Sequence, residues 1–138
     1  MMRREQEGFA IPFKPAKEPE YMHPVTLAYL GDAVHQLYIR QYLLAQKRQK
    51  PNELHQQAIK YVSAKAQAQA LKRMLPSLTE QELEMVKRGR NAKSGQVPKN
   101  ADVLDYRHST AFECLVGYLY CKQEYERLDA LLHSTLET

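Results

Sequence analysis

The feature that most constrains the fold is a glycine beside a carboxylate, Gly31 and Asp32, inside an apolar run whose spacing is otherwise helical. Neither residue is favoured in a helix interior, because glycine loses conformational entropy there and aspartate competes for backbone hydrogen bonds. A second apolar helical run repeats the pattern, with Glu113 one turn before Gly117. Glycines on facing helices allow the two backbones to approach closely. We therefore expect the two runs to pack together and to bring Asp32 near Glu113.

The rest of the chain has helical rather than strand periodicity. Apolar residues recur at helical spacing from Pro24 to about Ala45, and no segment shows a convincing strand alternation. Together these patterns predict an all-α fold with five to seven helices. Further signals are N-caps at Asn52 and Ser63, a capping box at Thr79 and Glu82, a stop near Gly89, a helix over about residues 105–122 and a last helix through Leu128.

The length of 138 residues fits one domain with a hydrophobic core. We assign this domain to residues 22–138 and expect residues 1–21 to form a partly ordered arm, since prolines and charges interrupt them. Cys114 and Cys121 lie on one predicted helix, too far apart to bridge, and are expected to be buried thiols. The sequence shows neither a signal peptide nor an apolar run that could span a membrane. We therefore expect a cytoplasmic location.

Basic residues are concentrated in one part of the chain. The net charge of +4, from 20 lysines and arginines against 16 acids, favours an anionic partner only weakly. Between Met85 and Ala101, however, there are several bases and no acid. We call residues 87–100 the basic segment, and its part from Arg90 to Asn100 is predicted to be an exposed loop. It is either a solvated linker or a surface that contacts nucleic-acid phosphates. The candidate RNA-binding residues are Lys87, Arg88, Arg90, Asn91, Lys93 and Lys99.

Asp32 and Glu113 are the candidate catalytic and metal-binding residues. Asp32 by itself could equally be a tolerated acid at the edge of an apolar face. Glu113 has no cation among its helical neighbours, so a partly buried glutamate there needs a partner from elsewhere, for which a divalent metal is one candidate. Two converging carboxylates suit Mg²⁺ and are poor ligands for structural zinc. The histidines show no metal-binding spacing and are predicted to be surface or interface residues. No nucleotide-binding loop or hydrolase motif is present.

Two stretches give the chain a resemblance to a known family. YLGDAV, with Asp32 as its acid, resembles the first signature of the ribonuclease III catalytic domain, and TAFECLVGYLY, with Glu113 as its acid, resembles the second. Between them, the segment that contains Glu53 resembles a further family helix. The match covers about residues 22–135 and is closest to the short form of the family, Mini-ribonuclease III, which lacks a separate double-stranded-RNA-binding domain.

The resemblance implies an all-helical homodimer that cuts double-stranded RNA with Mg²⁺, or with Mn²⁺ as a possible substitute, and leaves 5′-phosphate and 3′-hydroxyl ends. It also implies a role in maturing the precursor of large-subunit ribosomal RNA. The loop from Arg90 to Asn100 would then substitute for the missing RNA-binding surface. A catalytically silent RNA-binding or ribosome-associated protein of the same fold is the alternative.

The candidate site has fewer carboxylates than is usual in the family. Val25 and Ala28 stand where the long enzymes carry acids, and Thr110 stands where they place an aspartate. Glu53 matches a further family acid and is a weaker metal candidate, which could act through water. We therefore expect one firmly bound Mg²⁺, with a second recruited together with RNA phosphate as an open alternative. Thr110 either holds a metal-bound water or packs.

Overall fold

A computed structural model of the chain describes residues 13–46, 50–92, 97, 99 and 102–137. These residues form six α-helices and no strand, which confirms the predicted all-α fold. Within them, no helix has the length and apolarity that crossing a bilayer requires. The helices are α1 (Pro24–Leu44), α2 (Pro51–Val62), α3 (Ala64–Met74), α4 (Glu80–Asn91), α5 (Val103–Cys121) and α6 (Tyr125–Ser134).

Helix α5 is the centre of the fold. It contacts α1, α3, α4 and α6, and most of its side chains are buried. Its Phe112 and Leu115 pack in one hydrophobic cluster with Leu27 of α1 and Met85 of α4. A helix that is apolar nearly all round is stable only when neighbours cover it, so the bundle fixes the position of any polar group that α5 carries. The prediction that the two cysteines are buried, free thiols is confirmed.

Helices α1 and α5 touch backbone to backbone. A Cβ atom added to Gly31 would overlap the carbonyl oxygen of Glu113, and one added to Gly117 would overlap the carbonyl oxygen of Leu27. Each glycine therefore omits a side chain that would push the helices apart. This geometry confirms the prediction that the two glycine-containing runs pack together.

Helix α4 runs to Asn91, beyond the predicted stop at Gly89. A Cβ atom on Gly89 would lie 2.8 Å from both the Ala111 Cα and the Cys114 Cβ atoms of α5. Gly89 therefore permits close helix packing and does not end the helix. The prediction of a loop that begins at Arg90 is wrong at its start, because Arg90 and Asn91 are helical.

Two helices begin earlier than predicted. Helix α2 starts at Pro51, where the missing N–H of proline costs nothing, so Asn52 is not its N-cap. Helix α5 starts at Val103, with the Asp102 carboxylate accepting the Asp105 N–H at 3.0 Å. The predicted caps that the structure confirms are Ser63 at α3 and the capping box of Thr79 and Glu82 at α4.

The chain before α1 is held against the bundle by polar contacts. The guanidinium of Arg88 on α4 donates to the carbonyl oxygens of Glu20 and Met22, at 2.7 and 2.9 Å. Lys122, at the end of α5, pairs with the Glu20 carboxylate at 2.7 Å. The last residues of the predicted arm are therefore anchored, while residues 1–12 lie outside the described part of the chain.

Candidate active site

The candidate active site lies where α1 and α5 touch. Asp32 follows Gly31 on α1 and is exposed, whereas Glu113 on α5 is partly buried. The two carboxyl groups lie close enough together that Asp32 is among the groups that raise the pKa of Glu113. The convergence that the sequence predicted is therefore present. It follows from the close approach at Gly31, whose missing Cβ lets the Glu113 backbone reach α1.

Burial and the proximity of Asp32 strongly raise the pKa of the Glu113 carboxyl group. Desolvation, followed by the interactions with Asp32, raises the pKa of Glu113 from 4.5 to about 8. Without a metal, Glu113 is therefore largely protonated near neutral pH. No cation is among the groups that shift this pKa. Converging carboxylates with no cationic partner among the described residues fit Mg²⁺ or Mn²⁺, which take oxygen ligands and complete their coordination with water or phosphate.

This pKa predicts a pH-dependent difference in stability between the wild type and Glu113→Gln in metal-free buffer. Between 4.5, the ordinary pKa, and about 8, the folded wild type binds more protons than the unfolded chain, so its stability falls as the pH rises through that window. The variant lacks this loss. It is expected to be more stable than the wild type by on the order of 2 kcal/mol near pH 8, after allowance for partial exposure.

Urea unfolding of both proteins in EDTA, at about pH 4.5 and at about pH 8, measures this difference. The two curves should lie closer together at the lower pH. An equal gap at both pH values would show that Glu113 titrates normally in the folded state.

Glu53 and Thr110 add no further ligand to the pair in the described residues. Glu53 lies exposed in the first turn of α2, and no group of three His, Cys, Asp or Glu side chains in the described ranges could hold a metal ion. A role for Glu53 through water stays a prediction. The buried Thr110 donates its hydroxyl to the Tyr106 carbonyl oxygen at 3.1 Å, within α5. That bond favours the packing role of Thr110.

A buried polar network, which the sequence analysis did not identify, adjoins the acids. Gln67 of α3 is 1% exposed, and its amide oxygen accepts the Ser109 hydroxyl at 2.6 Å. Its amide nitrogen lies 2.9 Å from Nδ1 of His35 on α1, and Gln67 is also among the groups that shift the pKa of Glu113. Gln67 stands one helical turn before the buried Leu71. That spacing puts an amide on the apolar face of α3, which is the signal that could have found it.

His35 is buried, which corrects the prediction that the histidines are surface or interface residues. It is 1% exposed and packs edge-on against Phe112, with ring centroids 4.9 Å apart. Burial lowers the pKa of His35 from 6.5 to about 4, although the charge of Asp32 opposes the shift. The ring is therefore neutral near pH 7 and can accept a hydrogen bond on Nδ1.

The basic segment is described in part, at residues 87–92, 97 and 99. Arg88 contributes its guanidinium to the anchoring of the chain before α1, so its donors already serve the fold. Lys93 lies outside the described residues. RNA contact by this segment stays a prediction. The candidate RNA-binding residues that are exposed in the structure are Lys87, Arg90 and Asn91 on the last turns of α4, and Lys99 beyond it.

Comparisons with known proteins agree with this arrangement. The family model described as the ribonuclease III domain matches residues 25–124. A Mini-ribonuclease 3 from Brevibacillus brevis is 54% identical over 112 residues, which cover 81% of this chain and 84% of that protein. A Mini-ribonuclease 3 from Staphylococcus aureus is 48% identical over 117 residues, covering 83% of this chain and 87% of that protein. A crystal structure of a protein from Fusobacterium nucleatum superposes with a TM-score of 0.78 at 28% identity, covering 88% of this chain and 98% of that one.

The chain therefore belongs to the ribonuclease III family. This membership confirms the prediction that it is an endoribonuclease. Both acids lie inside the matched residues, on the two helices that meet at the glycine contact.

Proposed function

We propose that the chain is a Mg²⁺-dependent endoribonuclease that cleaves double-stranded RNA at the pair formed by Asp32 and Glu113. The observation that carries the proposal is the proximity of these two acids, which lie on helices whose backbones touch. A partly buried acid beside a second acid destabilises the metal-free fold when both ionise. A bound divalent cation would offset that cost, so the arrangement favours metal binding.

The residues present fit such an ion. Asp32 and Glu113 would hold it, and Glu113 would release its proton to solvent on binding. When bound, Mg²⁺ supplies a Lewis acid that activates water and offsets the negative charge developing on the phosphodiester. Because the described residues offer no third carboxylate here, further ligand positions are left to water and to the phosphate oxygens of the substrate. Departure of the 3′ oxygen then leaves 5′-phosphate and 3′-hydroxyl ends.

The substrate class rests on the family and on the distribution of charge. Exposed cations at the end of α4 and at Lys99 supply phosphate contacts that position a duplex without reading its sequence. Resemblance to the short family form extends the proposal to the precursor of large-subunit ribosomal RNA as the substrate in the cell.

We also infer a homodimer. Tyr29 on α1 is 83% exposed and lies one turn before Asp32, on the same face of the helix. Exposed apolar surface often marks a site of protein–protein contact, so we expect a second copy of the chain to cover this aromatic side chain. A two-fold axis there would present two acidic pairs to one RNA duplex.

Removal of the metal tests the proposed activity. Long double-stranded RNA should be cut in Mg²⁺ or Mn²⁺ and left intact in EDTA, because the carboxylate pair without an ion cannot stabilise the transition-state charge. Gel-shift binding to the same RNA should persist in EDTA. Binding without cleavage under every metal condition would instead favour the silent RNA-binding alternative.

The role of the basic segment is tested by Lys87→Ala combined with Arg90→Ala, which removes two exposed cations of α4. Affinity for duplex RNA is expected to fall, and the slope of log affinity against log salt to flatten by about 1 to 2, since fewer counterions are released. Lys60→Ala with Lys72→Ala is a control with the same loss of charge on α2 and α3. An unchanged slope in the first variant would show that these cations do not contact RNA and that the basic segment is a solvated linker.

A further inference from the structure

The described part of the N-terminal arm, residues 13–21, is tied to the basic end of α4. We call these residues the anchored arm. The Arg88 guanidinium of α4 donates to the carbonyl oxygens of Glu20 and Met22, at 2.7 and 2.9 Å. The Glu20 carboxylate pairs with Lys122 of α5 at 2.7 Å, so its charge is compensated within the fold. These bonds fix the place at which the arm leaves the helical bundle.

Two prolines restrict the backbone of the anchored arm. Pro19 is buried and begins the single helical turn Pro19–Tyr21, and Pro15 is partly buried. Proline fixes its own φ angle and limits the conformations of the residue before it. Lys14 directly precedes the first proline, and Lys17 lies between the two. The arm therefore has little conformational freedom to lose when its lysines bind a ligand.

Lys14 and Lys17 are exposed cations close to the anchor point, and Glu18 is the one exposed acid of the anchored arm. Lys17 lies three residues before Glu20, so their Cα atoms are at most about 11 Å apart. The corresponding limit for Lys14 is about 22 Å. Because Glu20 is bonded to Arg88, both lysines lie near the exposed cations at the end of α4.

We propose that the anchored arm is a second RNA-binding element, in which Lys14 and Lys17 contact phosphates of the duplex that the exposed cations of α4 bind. The inference rests on the proposed binding of double-stranded RNA by the basic segment. A duplex carries phosphates at spacings much shorter than the distance between the arm and α4, so one molecule meets both sets of cations. Lysine contacts to phosphate position the duplex without reading its sequence.

Arg88 has a different role from the other cations of α4. Its guanidinium is engaged by backbone carbonyl oxygens, so it holds the arm and does not itself contact RNA. Arg88 is therefore a positioning residue for the two lysines of the anchored arm.

Lys14→Ala combined with Lys17→Ala, which we call the arm variant, tests the proposal. In EDTA, its affinity for double-stranded RNA is expected to fall by about tenfold, and the slope of log affinity against log salt to flatten by about 1 to 2, because two phosphate contacts are lost. Fluorescence anisotropy of a labelled RNA duplex at several salt concentrations measures both quantities. Lys14→Arg with Lys17→Arg keeps both charges and should bind like the wild type.

Arg88→Met separates anchoring from direct contact with RNA. Methionine keeps most of the length of the side chain but cannot donate to the carbonyl oxygens that hold the arm. Alone, this change should weaken binding, and added to the arm variant it should cause no further loss, because both changes remove the same contacts. A further loss in the combined protein would show that Arg88 contacts RNA itself and would overturn its positioning role.

Two comparisons distinguish failure of this proposal from failure of the proposed function. Wild-type affinity and salt slope in the arm variant, with weaker binding by Lys87→Ala combined with Arg90→Ala, would overturn the role of the arm and leave the basic segment as the RNA-binding surface. No binding of duplex RNA by the wild type would overturn both proposals. Lys60→Ala with Lys72→Ala loses the same charge and should bind like the wild type. An equal loss in this control would show an effect of net charge alone and would likewise overturn the role of the arm.

Discussion

Asp32→Asn and Glu113→Gln are each expected to slow cleavage of long double-stranded RNA by at least about a thousandfold in saturating Mg²⁺. Each change keeps the shape of the side chain and removes one of two charges that would hold the ion. Since the described residues provide no third carboxylate at the site, no neighbour can replace the lost ligand. Single-turnover rates with a labelled duplex measure the effect.

RNA binding by these two variants should largely survive, because the phosphate contacts are assigned to the basic segment and not to the acids. Asp129→Asn and Glu126→Gln, at exposed acids of α6, make the same chemical changes away from the site and should cut at the wild-type rate. Cleavage by Asp32→Asn at the wild-type rate would remove that residue from the active site.

Gly117→Ala is expected to lower the free energy of unfolding by about 3 kcal/mol, because its methyl group would fall on the Leu27 carbonyl oxygen. The obstructing atom belongs to a backbone, so α1 and α5 must separate to make room. Alanine is intrinsically better than glycine in a helix by about 1 kcal/mol, so helix propensity alone predicts the opposite sign. Urea unfolding followed by circular dichroism measures the change.

Ala33→Gly is the matched control for this prediction. Ala33 is exposed on α1, so the substitution should cost only the helix propensity of about 1 kcal/mol. Because the glycine contact also brings Asp32 to Glu113, Gly117→Ala should impair Mn²⁺ binding as well as folding. A Gly117→Ala protein as stable as the wild type would show that the contact between α1 and α5 can accommodate a methyl group at this position.

The sequence indicated the proposed metal site because the two helices that form it carry the same local anomaly. A glycine and an acid are each disfavoured in an apolar helix, and finding both in two runs has a single explanation in close packing. Similar logic predicted the Thr79 capping box, whose bonds involve only residues close together in the chain. Local chemistry of this kind can be deduced without knowing the fold.

Contacts between distant helices could not be deduced in the same way. Gly89 resembled a helix stop, since only the packing of α4 on α5 shows why it is a glycine inside a helix. In the sequence Arg88 resembled the other cations of the basic segment. The structure shows that its guanidinium donates to carbonyl oxygens of the chain before α1. His35 and Gln67 bond to each other from α1 and α3, which no spacing along the chain predicts.

The most direct measurement of the central claim is anomalous diffraction from crystals grown with Mn²⁺ at a concentration that supports RNA cleavage. The account predicts an anomalous peak within bonding distance of both the Asp32 and the Glu113 carboxylates, and no such peak in crystals of Glu113→Gln. Manganese bound elsewhere, with no peak at this pair, would contradict it.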